Sequence, residues 1–262
     1  MKKRLQPRNP QIVFAPNLNS TRHTIRHFLG AMRRHDPSLI EHGKRTAIYS
    51  LLVGQALQLP DQDLSDLCYA ALLHDLGKLT LPNEVIQQNG MSMIGEYVMT
   101  ECSPKAGAEI LRSWPGLQGI AKLIALHHER WDGSGEPFGI RGLLIPLGAR
   151  ILSLTDAVDQ LLTQKHEQIS THIDSVVRII RLMAGTRFDP NLVEVFIETL
   201  VPSIKKLSLE FDSVFHCPTE GTISIFVQNF PVKKSHIRRH LRNLFEITSP
   251  ISYNPTPALL SR

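Results

Sequence analysis

Apolar residues recur at intervals of three and four from about residue 21 to about residue 200, and this periodicity most constrains the fold. Such spacing places apolar side chains on one face of an α-helix. Almost nothing in the same region alternates with a period of two, as a half-buried β-strand does. The sequence therefore predicts an all-α domain over residues 21–201. Its helices are predicted at residues 21–34, 41–59, 63–79, 104–113, 117–128, 146–164, 170–184 and 189–201.

The two ends of the chain differ from this helical region. Residues 1–20 contain three prolines and several basic residues and show little periodicity, which indicates an extended basic tail. After Pro202, the segments LSLEFDSVF and GTISIFVQNF are rich in strand-forming residues, whereas IRRHLRNLF is predicted to form a short helix. We therefore predict a small C-terminal α+β appendage over residues 202–262.

Composition argues against a membrane-spanning or disulfide-rich protein. The chain has no run of about 18 apolar residues, and its basic N-terminus lacks the apolar core of a signal peptide. Its three cysteines are an odd number at unrelated spacings, so no disulfide framework is indicated. These features predict a cytoplasmic protein without a membrane span. The net charge of +5 is scattered, which favours a solvated surface over a dedicated site for an anionic partner.

The side chains that could carry chemistry lie within the helical region. His74 and Asp75 follow the apolar residues 70–73, so both are expected to be buried. Burial without a partner is costly, which favours a metal ion or strong hydrogen bonds. His42 on the preceding helix and Asp156 in the apolar stretch ARILSLTDAVD are candidates for the same site. A divalent metal that activates water needs imidazoles and carboxylates that converge in this way.

The order His…His-Asp…Asp on three predicted helices resembles the HD superfamily of metal-dependent phosphohydrolases. The segment HHERWDGSGEPFGIRGLLIPLGARILSLTDAVD is similar to the signature of the HD-GYP subfamily, and GTRFDPNLVEVFI resembles the start of its closing helix. The resemblance covers about residues 38–200. It implies an HD-type bundle of helices over residues 21–201, a metal centre and hydrolysis of cyclic di-GMP in bacterial second-messenger signalling.

The resemblance also implies two metal sites, with iron or manganese as the expected divalent ions. The first site is complete in this sequence, whereas the second lacks one imidazole because Ser103 stands where the family has a histidine. A thiolate from the adjacent Cys102 is an alternative ligand. Glu129 or Asp132 is expected to orient a ligand imidazole. The implied ligands are His42, His74, Asp75 and Asp156 for the first site, and His127, His128 and a bridging Asp75 for the second.

The resemblance further implies which residues act on the substrate. Asp75 is expected to help activate water for in-line attack on phosphorus, and Lys78 to stabilise the developing phosphoryl charge. The alternative for Lys78 is a solvent-facing cation at a helix end. The implied substrate-binding residues are Lys78, Arg150 and Lys165. Arg150 could instead pair with a nearby carboxylate, and Arg45 is expected to do so. Arg141 or Arg187 could compensate for phosphate-binding arginines that the chain lacks at residues 164–168.

Three functions are compatible with these residues. The first is a metal-dependent cyclic dinucleotide phosphodiesterase, which the complete first site favours. The second is a catalytically degenerate module that binds a nucleotide or a signalling protein, which Ser103 and the replacement of the family tyrosine by Glu136 favour. The third is an HD-type phosphohydrolase of another nucleotide or phosphoester. The sequence does not indicate the oligomeric state.

Overall fold

The structure is a computed structural model that describes residues 18–80, 103–163, 169–202, 204–205 and 234–249. These residues form nine α-helices and two short 3-10 helices, with no β-strand among them, so the predicted all-α core is confirmed. The 3-10 helices span Leu76–Thr80 and Gly142–Leu144. The α-helices are α1 (Leu18–His35), α2 (Pro37–Ala56), α3 (Asp61–Leu73), α4 (Ser103–Arg112), α5 (Gln118–Leu126), α6 (Leu147–Thr163), α7 (Ile169–Leu182), α8 (Pro190–Thr199) and α9 (Lys234–Thr248).

Helix α2 begins earlier than its apolar pattern predicts. Asp36 is its N-cap, with the Asp36 side chain accepting a hydrogen bond from the Ser38 backbone N–H at 2.8 Å. Pro37 occupies the first turn, where its missing N–H costs nothing. In the His-Asp pair at residues 35–36, His35 therefore ends α1 and Asp36 caps α2, in contrast to the pair at residues 74–75.

Helix α3 is shorter than the predicted helix at residues 63–79. It begins at Asp61 after Pro60 and ends at Leu73, and His74 is its C-cap residue. The chain then continues as a 3-10 helix, in which the Lys78 backbone N–H donates to Asp75 O, three residues earlier, at 3.0 Å. The prediction of one continuous helix over residues 63–79 was wrong, and His74 and Asp75 instead lie at the junction of two helices.

Two close helix contacts position the segments that carry His42, His74 and Asp75. A Cβ atom on Gly43 would lie 3.0 Å from Leu72 O, so α2 can approach α3 this closely only at a glycine. A Cβ atom on Gly107 would lie 3.0 Å from Gly77 N, so α4 packs equally closely on the turn after α3. Helix α6 packs against α2 and α3 and completes the core around them.

The C-terminal helix α9 packs against α1, α2 and α3. Its apolar face is buried, and Arg22 on α1 forms an ion pair with Glu246 at 2.8 Å. The two segments predicted as strands, residues 207–215 and 221–230, lie outside the described residues, as do residues 1–17 of the predicted tail, so these predictions remain open. No helix of the described ranges is long and apolar enough to cross a membrane.

Candidate metal centre

Three helices bring one carboxylate and two imidazoles together at the centre of the bundle. His42 lies on α2, His74 at the end of α3 and Asp156 in the middle of α6. His42 Nε2 lies 3.1 Å from His74 Nε2 and 3.0 Å from Asp156 Oδ1. His74 Nε2 lies 3.4 Å from the same carboxylate oxygen. These three ligand atoms are close enough to hold one metal ion.

The opposite ring nitrogen of each of three site imidazoles is already committed to an acceptor. The acceptors of the Nδ1–H groups are Asp159 Oδ2 for His42 (2.7 Å), Ala71 O for His74 (2.8 Å) and Ile124 O for His127 (2.6 Å). A carboxylate or carbonyl can only accept, so Nδ1 donates and Nε2 is the nitrogen that faces the other ligands. Metal-ligating histidines are held in this way, and the donor set fits a divalent metal ion.

A second group of ligand atoms adjoins the first. Helix α5 ends at Leu126, and His127 and His128 follow at its C-terminus, where both rings turn to the same side. Ligand atoms of these two histidines and of Asp156 all lie within 4.8 Å of one another. The carboxylate common to both groups is therefore Asp156, whereas the family resemblance implied a bridging Asp75.

Asp75 lies beside the first group and is paired with Lys78. Its Oδ2 atom is 3.6 Å from His74 Nε2 and 4.0 Å from His42 Nε2, and it accepts a hydrogen bond from Lys78 Nζ at 2.8 Å. Burial alone would raise the pKa of Asp75, but the charges of His74, Lys78 and His42 hold it well below its usual range. Asp75 is thus an ionised carboxylate at neutral pH.

The buried carboxylates determine which site imidazoles carry a proton. Burial would lower the pKa of His42, but hydrogen bonds to Asp156 and Asp159 raise it to about 10. The pKa of His74 is also raised despite its burial, by Asp75 and Asp156. Burial lowers the pKa of His127 well below its usual value, and the neighbouring His128 and His74 add to this. A metal ion would therefore displace protons from the first group and meet a neutral imidazole at His127.

Asp159 is a site residue that the sequence analysis missed. Its side chain is fully buried and bridges His42 to Arg45, whose Nε and Nη2 atoms lie 2.7 and 2.9 Å from the two carboxylate oxygens. It lies one helical turn after Asp156 on α6, and this spacing was the available signal. Arg45 was expected to pair with a carboxylate, and it does.

Glu129 and Asp132, which were expected to orient a ligand imidazole, hydrogen-bond to residues of the loop that follows α5. Glu129 is buried and accepts a hydrogen bond from the Phe138 backbone N–H at 2.7 Å. Asp132 accepts hydrogen bonds from the Ser134 backbone N–H and hydroxyl at 2.9 and 2.6 Å. Both carboxylates therefore shape the glycine-rich loop after α5, which leaves the orienting role at His42 to Asp159.

A cavity of about 700 Å³ opens from the metal-ligand groups to the surface. This volume falls within the range of about 300–1,000 Å³ that is usual for small-molecule sites. Its wall includes His42, His74, Asp75 and Asp156 together with polar and charged groups. Those additional groups include Lys78, His128, Arg130, Glu136, Gln160 and Arg187.

The structure places Arg150 outside this cavity wall. Its Nη1 atom donates to Asp189, and its Nε atom donates to Ile145 O at 2.9 Å. The Arg150 guanidinium is thus engaged by the buried Asp189, and the role in substrate binding that the resemblance implied for Arg150 stays a prediction. Lys165, Cys102 and the side chain of Ser103 lie outside the described residues.

The sequence of this chain matches a known protein family. A sequence model of the family described as "HD domain" matches residues 31–192, more than half of the chain. The chain belongs to the HD-domain family. The match spans every ligand of both groups, and the expected membership of the HD-GYP subfamily is confirmed by HD-domain relatives that are named cyclic dinucleotide phosphodiesterases.

Individual relatives of this HD domain share part of its length. The cyclic di-GMP phosphodiesterase response regulator RpfG of Xanthomonas campestris is 32% identical over 175 residues, 66% of this chain and 46% of the relative. The 3'3'-cGAMP-specific phosphodiesterase 3 of Vibrio cholerae is 30% identical over 154 residues, 59% of this chain and 34% of the relative. The chain thus spans about a third to a half of these relatives.

A solved structure supports the fold of the HD domain. The crystal structure of a cyclic GMP-AMP specific phosphodiesterase from V. cholerae matches with a TM-score of 0.52 at 20% sequence identity. The match covers 89% of this chain and 61% of that structure. At this level of identity the likeness concerns the architecture of the helices.

Proposed function

We propose that this chain is a metal-dependent phosphodiesterase that hydrolyses a cyclic dinucleotide, with cyclic di-GMP as the first candidate substrate. The observation that carries the proposal is the convergence of His42, His74 and Asp156 at the base of a cavity with cations on its wall. Relatives named for cyclic di-GMP and for 3'3'-cGAMP both support the substrate class. Signalling through a protein partner is part of the same proposal.

The proposed metal ligands are the two adjoining groups of donors. His42, His74 and Asp156 form one group, and His127 and His128 form the other with the shared Asp156. We propose iron or manganese as the ions, in keeping with the mixed imidazole and carboxylate donors. Bound there, a divalent ion supplies a Lewis acid that polarises a phosphoryl oxygen and activates water.

The side chains around the ligands divide the remaining work. Asp75 is ionised and beside His74, so it can accept a hydrogen bond from a water molecule and hold that water in place. Lys78 keeps a positive charge 2.8 Å from Asp75 on the cavity wall, where it can stabilise phosphoryl charge or protonate the leaving oxygen. Asp159 and Arg45 hold the His42 ring in its orientation.

Metal analysis and turnover assays test the proposal together. We expect bound divalent metal in the purified protein and a linear dinucleotide product from cyclic di-GMP or 3'3'-cGAMP. Lys78→Ala should lower kcat about 100-fold at unchanged metal content, whereas His74→Ala should lose metal and activity together. His23→Ala, an exposed histidine on α1, is the control. Absence of metal and turnover, with the His74 variant behaving like the wild type, would refute the function.

The second candidate is a module that binds a cyclic dinucleotide without cleaving it. Ser103 in place of the family histidine favours it, since one imidazole of the second site is missing from the sequence. Chromatography of the mixture after binding separates the two candidates. Recovery of intact cyclic di-GMP from a metal-loaded complex would support the module over the enzyme.

A further inference from the structure

We propose that the guanidinium group of Arg187 binds a phosphate of the substrate inside the metal cavity. This inference rests on the proposed function and assigns a specific anchor to the substrate class. Arg187 lies in the segment GTRFDP, just before α8. It faces the same cavity as the His42, His74 and Asp156 group.

In the described part of the chain the Arg187 guanidinium forms no ion pair, and the charge of Asp156 acts on it only from a longer distance. Three other arginines around the site are paired, and their partners are Asp159 for Arg45, Asp189 for Arg150, and Ser134 and Asp132 for Arg130. Among the described residues, the Arg187 side chain makes neither an ion pair nor a hydrogen bond, and its guanidinium carbon lies 5.2 Å from the centre of the Phe188 ring. Arg187 is thus a cation on the cavity wall that a ligand can reach.

Partial burial of the Arg187 cation without an ion-pair partner costs free energy. Arg187 is half-buried, and burial lowers the pKa of its guanidinium, with the charge of Arg130 acting in the same direction and that of Asp156 opposing it. A charge taken partly out of water without a partner costs free energy that a bound anion would offset. A phosphate group meets this need well, because the planar fork of arginine can donate two parallel hydrogen bonds to it.

Backbone hydrogen bonds hold the loop that carries Arg187 in place. Its own N–H donates to Met183 O at 3.0 Å, and its carbonyl accepts from the Trp131 backbone N–H at 3.2 Å. The next pair across the two loops, Asp132 N–H to Thr186 O, measures 2.9 Å. The loop with Arg187 is therefore tied to the glycine-rich loop that follows the ligand histidines. A loop whose backbone is fixed in advance loses little entropy when a ligand binds to its side chain.

Arg150 and Asp189 secure the same loop from the other side. Asp189 is buried, caps α8 by accepting from the Asn191 backbone N–H at 2.9 Å, and receives the Arg150 guanidinium. Arg150 is thus a positioning residue that acts through Asp189 on the segment carrying Arg187. Arg150 is thus bound to a carboxylate of the protein itself, whereas the Arg187 guanidinium remains available to a ligand.

Steady-state kinetics of the metal-loaded Arg187→Gln variant test the assignment. With cyclic di-GMP or 3'3'-cGAMP, whichever the wild type hydrolyses, we expect KM to rise about 10- to 100-fold, the usual range for loss of a charge-assisted hydrogen bond. Metal content should stay unchanged, and kcat should fall less than KM rises. Arg187→Lys should give an intermediate KM, because it keeps the charge and loses the fork.

Arg181→Gln is the matched control. Arg181 lies shortly before Arg187 in the chain and forms an exposed ion pair with Glu194 at 3.3 Å. Its loss should leave KM unchanged. An unaltered KM in Arg187→Gln, with an active wild type, would overturn the assignment and leave the proposed function standing.

Two other outcomes are decisive. If Arg187→Gln does not fold, judged by its melting curve, Arg187→Lys carries the test, and loss of folding in both would assign Arg187 to structure and overturn the proposal. A wild type that hydrolyses neither dinucleotide would overturn the proposed function, and this inference with it.

Discussion

Replacing Asp159 with asparagine should loosen the metal centre and the fold in a single step. The carboxylate of Asp159 is fully buried, and it receives His42 Nδ1 at 2.7 Å and two Arg45 donors at 2.7 and 2.9 Å. An asparagine side chain has one acceptor oxygen, and its amide N–H₂ would face a donor of either His42 or Arg45. At least one donor would then be buried without an acceptor.

The contacts of Asp159 set the size of the expected effect. A hydrogen bond to a charged group contributes about 1.5–3 kcal/mol, and removing one partner of a buried ion pair costs about 3–5 kcal/mol. Because the three contacts share one carboxylate and are not additive, we expect Asp159→Asn to lower the free energy of unfolding by about 3 kcal/mol. Loss of the group that orients His42 should weaken metal affinity about 10- to 100-fold.

Denaturant unfolding with chelator present and calorimetric titration of manganese measure the two effects separately. Asp174→Asn is the control, since Asp174 forms an exposed ion pair with Lys205 whose loss should cost less than about 1 kcal/mol. Adding Arg45→Met to Asp159→Asn should recover part of the stability, because it removes the stranded cation. Unchanged unfolding and unchanged metal affinity in Asp159→Asn would refute this account of the buried network.

Three further outcomes follow from other parts of the structure. Although burial opposes it, the carboxylates raise the pKa of His42 from 6.5 to about 10, so metal affinity should rise with pH across this range; calorimetry in buffers of different ionisation enthalpy should detect the released proton. Gly43→Ala would place a methyl group 3.0 Å from Leu72 O and should lower the free energy of unfolding by about 1–3 kcal/mol, measured by denaturant titration. Arg150→Ala would strand the buried Asp189 and should cost about 3 kcal/mol in the same assay, with a raised KM.

The helical core and the principal ligands could be predicted because their signals are local. Apolar spacing identifies a helix within two turns, and an adjacent pair such as His74 and Asp75 after an apolar run marks two buried polar groups that need partners. The sequence also indicated that Arg45 would pair with a carboxylate. What it lacked was the partner, since Asp159 lies 114 residues further along the chain.

Other features of the site depend on the packing of helices, which no local pattern reveals. How closely Asp156 approaches both ligand groups depends on how α6 packs in the bundle, and the bridging role of Asp75 stays a prediction. Whether an arginine serves a ligand or the fold depends on distant acidic residues: Arg150 meets Asp189, 39 positions away, and Arg187 meets none among the described residues. No local pattern distinguishes these two arginines.

The position of α9 has a practical consequence for anyone designing a shorter version of this protein. The family match to the HD domain ends at residue 192, and a fragment cut soon after that point would keep every proposed metal ligand. It would also lack four aliphatic side chains of α9 that are at most 5% exposed, namely Ile237, Leu241, Leu244 and Ile247. Each such side chain contributes about 1.5–3 kcal/mol to stability when it is buried. Their loss would also leave an exposed hydrophobic patch on α1, α2 and α3. The region that matches the family is therefore shorter than the region that is needed for a stable fold. A shortened version for expression should keep α9.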